Sequence, residues 1–94
     1  MNYRLVFKAA AKKEWDKLNS NVREQFRKKL AKCLLNPRVA SARLSGMPDC
    51  YKIKLRSAGY RLVYQVRDET LVVSVIAVGK RERHAAYQVA RRRI

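Results

Sequence analysis

Apolar and polar side chains alternate most regularly between residues 51 and 66. In an extended chain, successive side chains point to opposite faces. We therefore predict two strands joined by a short turn at Gly59, each with one apolar face. These faces consist of Tyr51, Ile53 and Leu55 on the first strand and Tyr60, Leu62, Tyr64 and Val66 on the second. The same alternation near the start of the chain predicts an opening strand over residues 2–7.

Two segments with helical spacing follow the opening strand. The first has its apolar residues at Ala11, Trp15 and Leu18. A polar interruption comes next, and Asn21 with Glu24 three residues later resembles a capping box at the start of a second helix. The apolar stripe of that helix consists of Val22, Phe26, Leu30, Cys33 and Leu34. Asn36-Pro37 ends it. We expect the two helices to form an antiparallel hairpin with one shared apolar face.

The segment Leu71–Val78 is apolar at every position but one, which predicts a strand inside the sheet. Gly79 is predicted to end this strand, and residues 80–94 are predicted to form a turn and a short basic helix. The order β-α-α-β-β-β-α indicates an α+β fold with a mainly antiparallel sheet. We expect residues 1–94 to form a single domain, with the helical hairpin on one sheet face and a basic surface on the other.

The predicted basic surface begins with Lys52, Lys54 and Arg56 on one strand and Arg61 on the next. No acidic residue occurs between Asp49 and Asp68 to balance them. Like charges on neighbouring positions repel, so this surface is expected to bind an anionic partner. The whole chain has 23 Lys and Arg against 7 Asp and Glu, a formal net charge of +16. A folded basic domain of this kind favours nucleic acid.

Two features argue against a membrane or secreted protein. No apolar span is long enough to cross a bilayer, and the first residues contain no apolar signal-peptide segment. We therefore expect a cytoplasmic protein with no membrane partner. With one histidine, His84, and no His or Cys pair at ligand spacing, we predict neither a metal site nor a cofactor. His84 itself is expected to be an exposed residue without a role.

The end of the central strand extends the basic surface. Lys80, Arg81 and Arg83 leave that strand, and Tyr87 follows within one or two helical turns. A basic groove beside an aromatic ring suits single-stranded RNA, because an unstacked base can lie on the ring. From its spacing alone, Tyr87 is equally compatible with packing the last helix onto the sheet.

Five runs of residues resemble those of the RelE toxins, which are the toxin halves of toxin–antitoxin pairs. They are Lys13–Trp15, Val22–Gln25, Gly46–Ser57, Gly59–Val66 and Val78–Arg83. The resemblance implies cleavage of mRNA in the ribosomal A site, with the ribosome and mRNA as partners. It also implies a RelB-like antitoxin, and contact with operator DNA only through the antitoxin complex.

The resemblance further implies which residues form the site. The catalytic set would be Lys52, Lys54, Arg61, Arg81 and Tyr87. Arg56, Lys80 and Arg83 would add RNA-binding charge. Because neighbouring positive charge lowers the pKa of a lysine, Lys54 is the candidate general base. Arginine stays protonated, so Arg81 is assigned to stabilising the leaving oxygen rather than to donating a proton, although the resemblance suggests an acid.

Two alternatives remain open at this point. The related ParE toxins share the fold and act as protein inhibitors of DNA gyrase, without nuclease chemistry. A non-catalytic RNA-binding module would also carry a basic surface of this kind. Only a nuclease would produce new mRNA ends within codons at the A site.

Overall fold

The order of helices and strands follows the predicted pattern in a computed structural model that describes residues 2–82 and 84–94. Each predicted element is present, and a short 3-10 turn, Ala40–Ala42, is added between the second helix and the second strand. The elements are β1 (Arg4–Phe7), α1 (Ala9–Asp16), α2 (Ser20–Leu35), β2 (Cys50–Leu55), β3 (Tyr60–Arg67), β4 (Val72–Lys80) and α3 (Ala85–Arg93). Within the described residues, no helix is both long and apolar enough to span a membrane.

The four strands form one mixed sheet in the order β1-β4-β3-β2. β1 pairs with β4 in parallel, and the other two pairings are antiparallel. This order confirms that the strand with two apolar faces lies inside the sheet. The prediction that Gly79 ends it is wrong, because Gly79 pairs with Arg61 and Lys80 pairs with Tyr60. Glycine without a side chain can continue a strand where a helix packs closely above it.

One face of the sheet is covered by α1 and α2, as predicted. Their apolar residues join the inward side chains of β2, β3 and β4 in one core. Trp15 lies at its centre, with its ring centroid 5.1 Å from that of Phe7 and 6.2 Å from that of Phe26. The hydroxyl of the buried Tyr64 donates to the Pro37 carbonyl at 2.7 Å, which satisfies its polar atom at the end of α2.

The opposite face is only partly basic, which corrects the prediction that it forms one basic surface. A second apolar cluster occupies its middle and consists of Leu44, Met47, Cys50, Val63, Ile76, Ala77 and Ala90. The loop before β2 and the small residues of α3 cover this cluster. The reason is that Val63 interrupts the basic residues on β3, and an apolar position in a central strand is buried rather than left in water. Uncovered basic residues remain near the β2–β3 turn.

The start of α2 also differs from prediction. Asn19, not Asn21, is the N-cap, and its side-chain oxygen accepts from the Val22 N–H at 2.9 Å. Glu24 instead pairs with Arg27 at 3.1 Å, so no capping box forms. The helix begins at Ser20, and a capping side chain must come just before the first helical residue.

Replacing Asn19 with Ala should lower the free energy of unfolding by about 1 kcal/mol, because the Val22 N–H loses its partner. Asn21→Ala is the matched control on the exposed first turn, and its effect should stay within about 0.5 kcal/mol. Urea unfolding at one pH measures both. An equal or larger loss in Asn21→Ala would restore the capping box and contradict the structure.

Candidate active site

Strand register brings three cations together beside the β2–β3 turn. Lys54 lies directly opposite Arg61 in the antiparallel pairing, and Lys52 lies two residues away on the same face. Directly opposed residues have their Cβ atoms only about 4.5–5.5 Å apart. All three side chains are partly buried. Alternation on β2 explains the placement, since Tyr51, Ile53 and Leu55 occupy the core side.

A backbone contact brings Arg81 to the same corner. The Arg81 N–H donates to the Gly59 carbonyl at 2.9 Å, which ties the end of β4 to the β2–β3 turn. Gly59 has φ +72°, a left-handed conformation that glycine adopts without steric cost. A Cβ at that position would lie 4.0 Å from Nε of Arg81. The β2–β3 turn at Gly59 therefore also brings Arg81 close to Lys54 and Arg61.

The first turn of α3 brings an aromatic ring to the cluster. Ala86 packs over β4, where a Cβ built on Gly79 would lie 3.9 Å from the Ala86 Cβ. One residue further along, Tyr87 is partly buried and stacks on His84, with ring centroids 5.6 Å apart and 25° between the planes. The Tyr87 hydroxyl is buried and finds no hydrogen-bond partner among the described residues. A buried phenol without a partner is unusual in a folded protein.

These side chains line one cavity of about 190 Å³. The cavity contains all five residues predicted to form the catalytic set, together with Lys80. Its lining residues are Lys52, Lys54, Arg61, Lys80, Arg81, His84, Ala86 and Tyr87. None of them is acidic. The arrangement can hold a phosphate group between several cations, with an aromatic ring at one side.

Three residues depart from the predicted site or fall outside its description. Arg56 is exposed in the turn after β2 and does not line the cavity. Arg83 lies outside the described residues. His84 is exposed, as predicted, yet it lines the cavity and contacts Tyr87, so the expectation that it has no role does not follow from its position. Its spacing of three residues from Tyr87, about one helical turn, is the signal that could have indicated this.

The electrostatic consequence of the cluster is clearest at Lys54. The positive charge of Lys52 lowers the pKa of the Lys54 ammonium, and partial desolvation, Arg61 and Arg56 lower it further. Each neighbour makes the charged form of Lys54 less favourable. Lys54 is therefore easier to deprotonate than an isolated surface lysine. In the part of the chain that the structure describes, no group of three His, Cys, Asp or Glu side chains could hold a metal ion.

Replacing Lys52 with Gln should raise the pKa of Lys54 toward its ordinary value, because it removes the largest cause of the shift. A titration of the Lys54 ε-methylene signals by NMR at low ionic strength, where screening is weakest, measures the change. Lys28→Gln removes an exposed charge from α2, outside the cavity, and should leave the pKa of Lys54 unchanged. Identical Lys54 titrations in Lys52→Gln and the unaltered protein would exclude this origin of the shift.

Comparisons with known proteins agree with this fold. Residues 5–85 match the family described as ParE toxin of type II toxin-antitoxin system, parDE. The mRNA interferase toxin RelE of Escherichia coli (strain K12) is 62% identical over 94 residues, which cover 100% of this chain and 99% of the relative. A putative RelE-like toxin protein from Escherichia coli is 54% identical with the same coverage.

Solved structures of RelE match the whole fold. A double mutant of E. coli toxin RelE in the free state has a TM-score of 0.92 at 60% identity, covering 100% of this chain and 99% of that one. The intact E. coli RelBE toxin–antitoxin complex matches with a TM-score of 0.83 at 64% identity, covering 86% of this chain and 99% of that one. The chain therefore belongs to the RelE toxins of the RelE/ParE toxin–antitoxin superfamily.

Proposed function

We propose that this chain is the toxin of a toxin–antitoxin pair and that it cleaves mRNA in the ribosomal A site. The observation that carries the proposal is the cavity in which Lys52, Lys54, Arg61, Arg81 and Tyr87 meet. A relative that is 62% identical over the full chain is named an mRNA interferase toxin. The excess of positive charge supports RNA as the substrate, because phosphates are the groups that these cations bind best.

The reaction proposed is attack of a ribose 2′-oxygen on the adjacent phosphorus. A bond forms between the 2′-oxygen and phosphorus, and the bond from phosphorus to the 5′-oxygen breaks. The upstream product ends in a 2′,3′-cyclic phosphate, and the downstream product begins with a 5′-hydroxyl. The reaction needs a base for the 2′-hydroxyl proton, cations around the phosphate, and stabilisation of the departing 5′-oxygen.

Lys54 is the proposed base. Its lowered pKa makes the neutral amine more accessible, and a well-placed general base contributes about 10²- to 10⁴-fold in rate. Lys52 and Arg61 flank it and would hold the phosphate. Arg81, tied to the Gly59 carbonyl, would stabilise charge that develops on the leaving oxygen, which then takes a proton from water or from a neighbouring group.

Tyr87 is proposed to orient the substrate. Its ring, already stacked on His84, offers a surface for an unpaired base. Its buried hydroxyl, which has no partner among the described residues, can donate to a phosphate or ribose oxygen. Arg56 and Lys80 would bind neighbouring phosphates from the rim of the cavity, and the same is proposed for Arg83 from its place in the sequence.

Dependence on the ribosome follows from the weakness of this acid–base set. Neighbouring charge lowers the pKa of Lys54, but Arg81 stays protonated and is a poor proton donor, so the proposed set lacks a conventional acid. Alignment of the 2′-oxygen with phosphorus must then supply much of the rate, and orientation alone is worth several orders of magnitude. A ribosome that holds the mRNA in a bent path would provide this alignment.

We further propose an antitoxin of the RelB type as the partner of this chain. A structure of the E. coli RelBE toxin–antitoxin complex and one of E. coli RelE with an antitoxin RelBc peptide both match this fold. An acidic segment would complement the net charge of +16. Operator DNA would be contacted only through the antitoxin complex. We also propose a cytoplasmic location and a single toxin domain over residues 1–94.

The main alternative is that this chain inhibits DNA gyrase, as expected for a ParE-like toxin. It is considered because the matched family is described as ParE toxin. Gyrase inhibition does not require a lysine of lowered pKa inside a cation-lined cavity. A nuclease function accounts for that cavity. It alone would produce cleaved mRNA, which neither gyrase inhibition nor passive RNA binding does.

Primer extension on mRNA under translation should show new ends within codons at the A site after the protein is added. Naked mRNA with the same protein should remain intact, because the ribosome is needed to align the phosphodiester. Gyrase supercoiling assayed in parallel should be unaffected. Absence of new ends with loss of supercoiling would favour the ParE alternative, and efficient cutting of naked mRNA would contradict ribosome dependence.

A further inference from the structure

An irregularity in β4 lies next to the candidate site. Val63 pairs with Ala77, but the next residue of β3, Tyr64, pairs with Val75, so Ile76 has no partner on β3. Such a bulge leaves its extra residue out of the ladder. On the other edge of β4, β1 pairs only as far as Val75, so backbone groups beyond it need other partners. Both faces of β4 are buried here, so water cannot easily supply them.

An ion pair supplies those partners from two distant parts of the chain. Arg93 Nη1 donates to the Ile76 carbonyl at 2.8 Å, and Glu14 Oε1 accepts from the Val78 N–H at 3.1 Å. The two side chains also bind each other through two hydrogen bonds, from Arg93 Nη1 to Glu14 Oε1 and from Arg93 Nη2 to Glu14 Oε2, both 3.0 Å. Two parallel bonds between guanidinium and carboxylate fix geometry as well as charge.

This pair differs from the other ion pairs that the structure describes. Its side chains are 23% and 30% exposed, whereas every other pair has both partners at least 38% exposed. Exposed pairs contribute little because water and salt screen them. The Glu14–Arg93 pair is shielded and bound to backbone, so it can join α1, β4 and α3 into one unit.

The attachment matters most for α3. That helix has nine residues, and helices of this length are marginal without tertiary contacts. Its fully buried side chains are only Ala86 and Ala90, which are small, and its last turn carries Arg91, Arg92 and Arg93 with no acidic neighbour in the helix. Tyr87 lies near its start, beside the cavity, and its last turn is held by the bonds from Arg93 to Glu14 and to the Ile76 carbonyl.

We propose that Glu14 and Arg93, anchored on the β4 bulge, are positioning residues for the cleavage reaction. They set the angle at which α3 lies on the sheet and thereby place the Tyr87 ring and hydroxyl in the cavity. Neither residue lines the cavity or contacts the reacting atoms. The inference rests on the proposed function for its effect on cleavage, but its effect on the order of α3 stands independently.

The first test is a double-mutant cycle under single-turnover conditions on ribosomes carrying mRNA. Arg93→Ala should lower the maximal cleavage rate about tenfold or more, since small misplacements of a reacting group are costly. The ribosome concentration that gives half the maximal rate should stay within about twofold. Arg92→Ala, which removes an equal charge from the exposed side of the same helix, should change neither value.

In a Tyr87→Ala background, Arg93→Ala should cause little further loss, because residues that act through one another are not additive. An undiminished further loss would show that Arg93 acts elsewhere and would overturn the proposal. Arg93→Lys, which keeps the charge but not the two parallel bonds, covers the case in which Arg93→Ala fails to fold. It should lower the rate less than Arg93→Ala does and show the same dependence on Tyr87.

Hydrogen exchange on the unbound protein gives a readout that needs no activity. Arg93→Ala should speed exchange of the α3 amides, while β3 and the buried part of β4 keep their protection. Unchanged exchange in α3 would overturn the proposal even if the protein cleaves mRNA. If the unaltered protein cuts no mRNA, the proposed function fails, while faster α3 exchange in the mutant would still support the attachment.

A charge exchange, Glu14→Arg with Arg93→Glu, separates an anchored pair from a simple ion pair. Opposite charges would still face each other, but the new arginine cannot accept from Val78, and the new glutamate cannot donate to Ile76. We expect hydrogen exchange of the α3 amides to be faster in this double variant than in the unaltered protein. Full restoration of α3 protection and cleavage would contradict anchoring on the bulge.

Discussion

The central strand β4 has to be buried on both faces, and the rest of the architecture depends on how this is achieved. Helices α1 and α2 cover one face. The other is covered by the shorter α3 and the loop before β2, which together reach only part of it. The uncovered corner lies where β2 and β3 turn, and there the strands carry Lys52, Lys54 and Arg61. The candidate site is thus the part of the sheet that the apolar packing leaves open.

Concentrating cations in that corner works against folding. Because neighbouring charges lower the pKa of Lys54 in the folded protein, the unfolded chain binds that proton more tightly. Protonation of Lys54 therefore opposes folding below its lowered pKa, and this penalty disappears as the pH rises toward the ordinary lysine pKa. An RNA phosphate would relieve the same repulsion. A corner that is costly in the free protein and favourable with an anion bound is typical of a functional site.

The sequence alone predicted what depends on local periodicity. Alternation identified the β2–β3 hairpin and its basic side, and the two apolar faces identified β4 as an inner strand. The predicted N-cap of α2 was wrong because two asparagines lie near the start of the helix. Only the backbone conformation shows that Asn19, and not Asn21, precedes the first helical residue. The covering of Val63 by α3 and the pairing of Glu14 with Arg93 depend on contacts across most of the chain. Both charged residues look like solvated surface when read in sequence, because charged side chains are mostly exposed.

In the proposed reaction, the cation-lined cavity promotes attack by the substrate's own 2′-oxygen. The most direct test replaces the single ribose at the cut with 2′-deoxyribose in an mRNA held on the ribosome. We predict that cleavage is abolished while binding is nearly unchanged, and that the unmodified mRNA yields a 2′,3′-cyclic phosphate or its 3′-phosphate and a 5′-hydroxyl. Continued cutting of the deoxy substrate, or a 5′-phosphate on the downstream fragment, would contradict it and indicate attack by water.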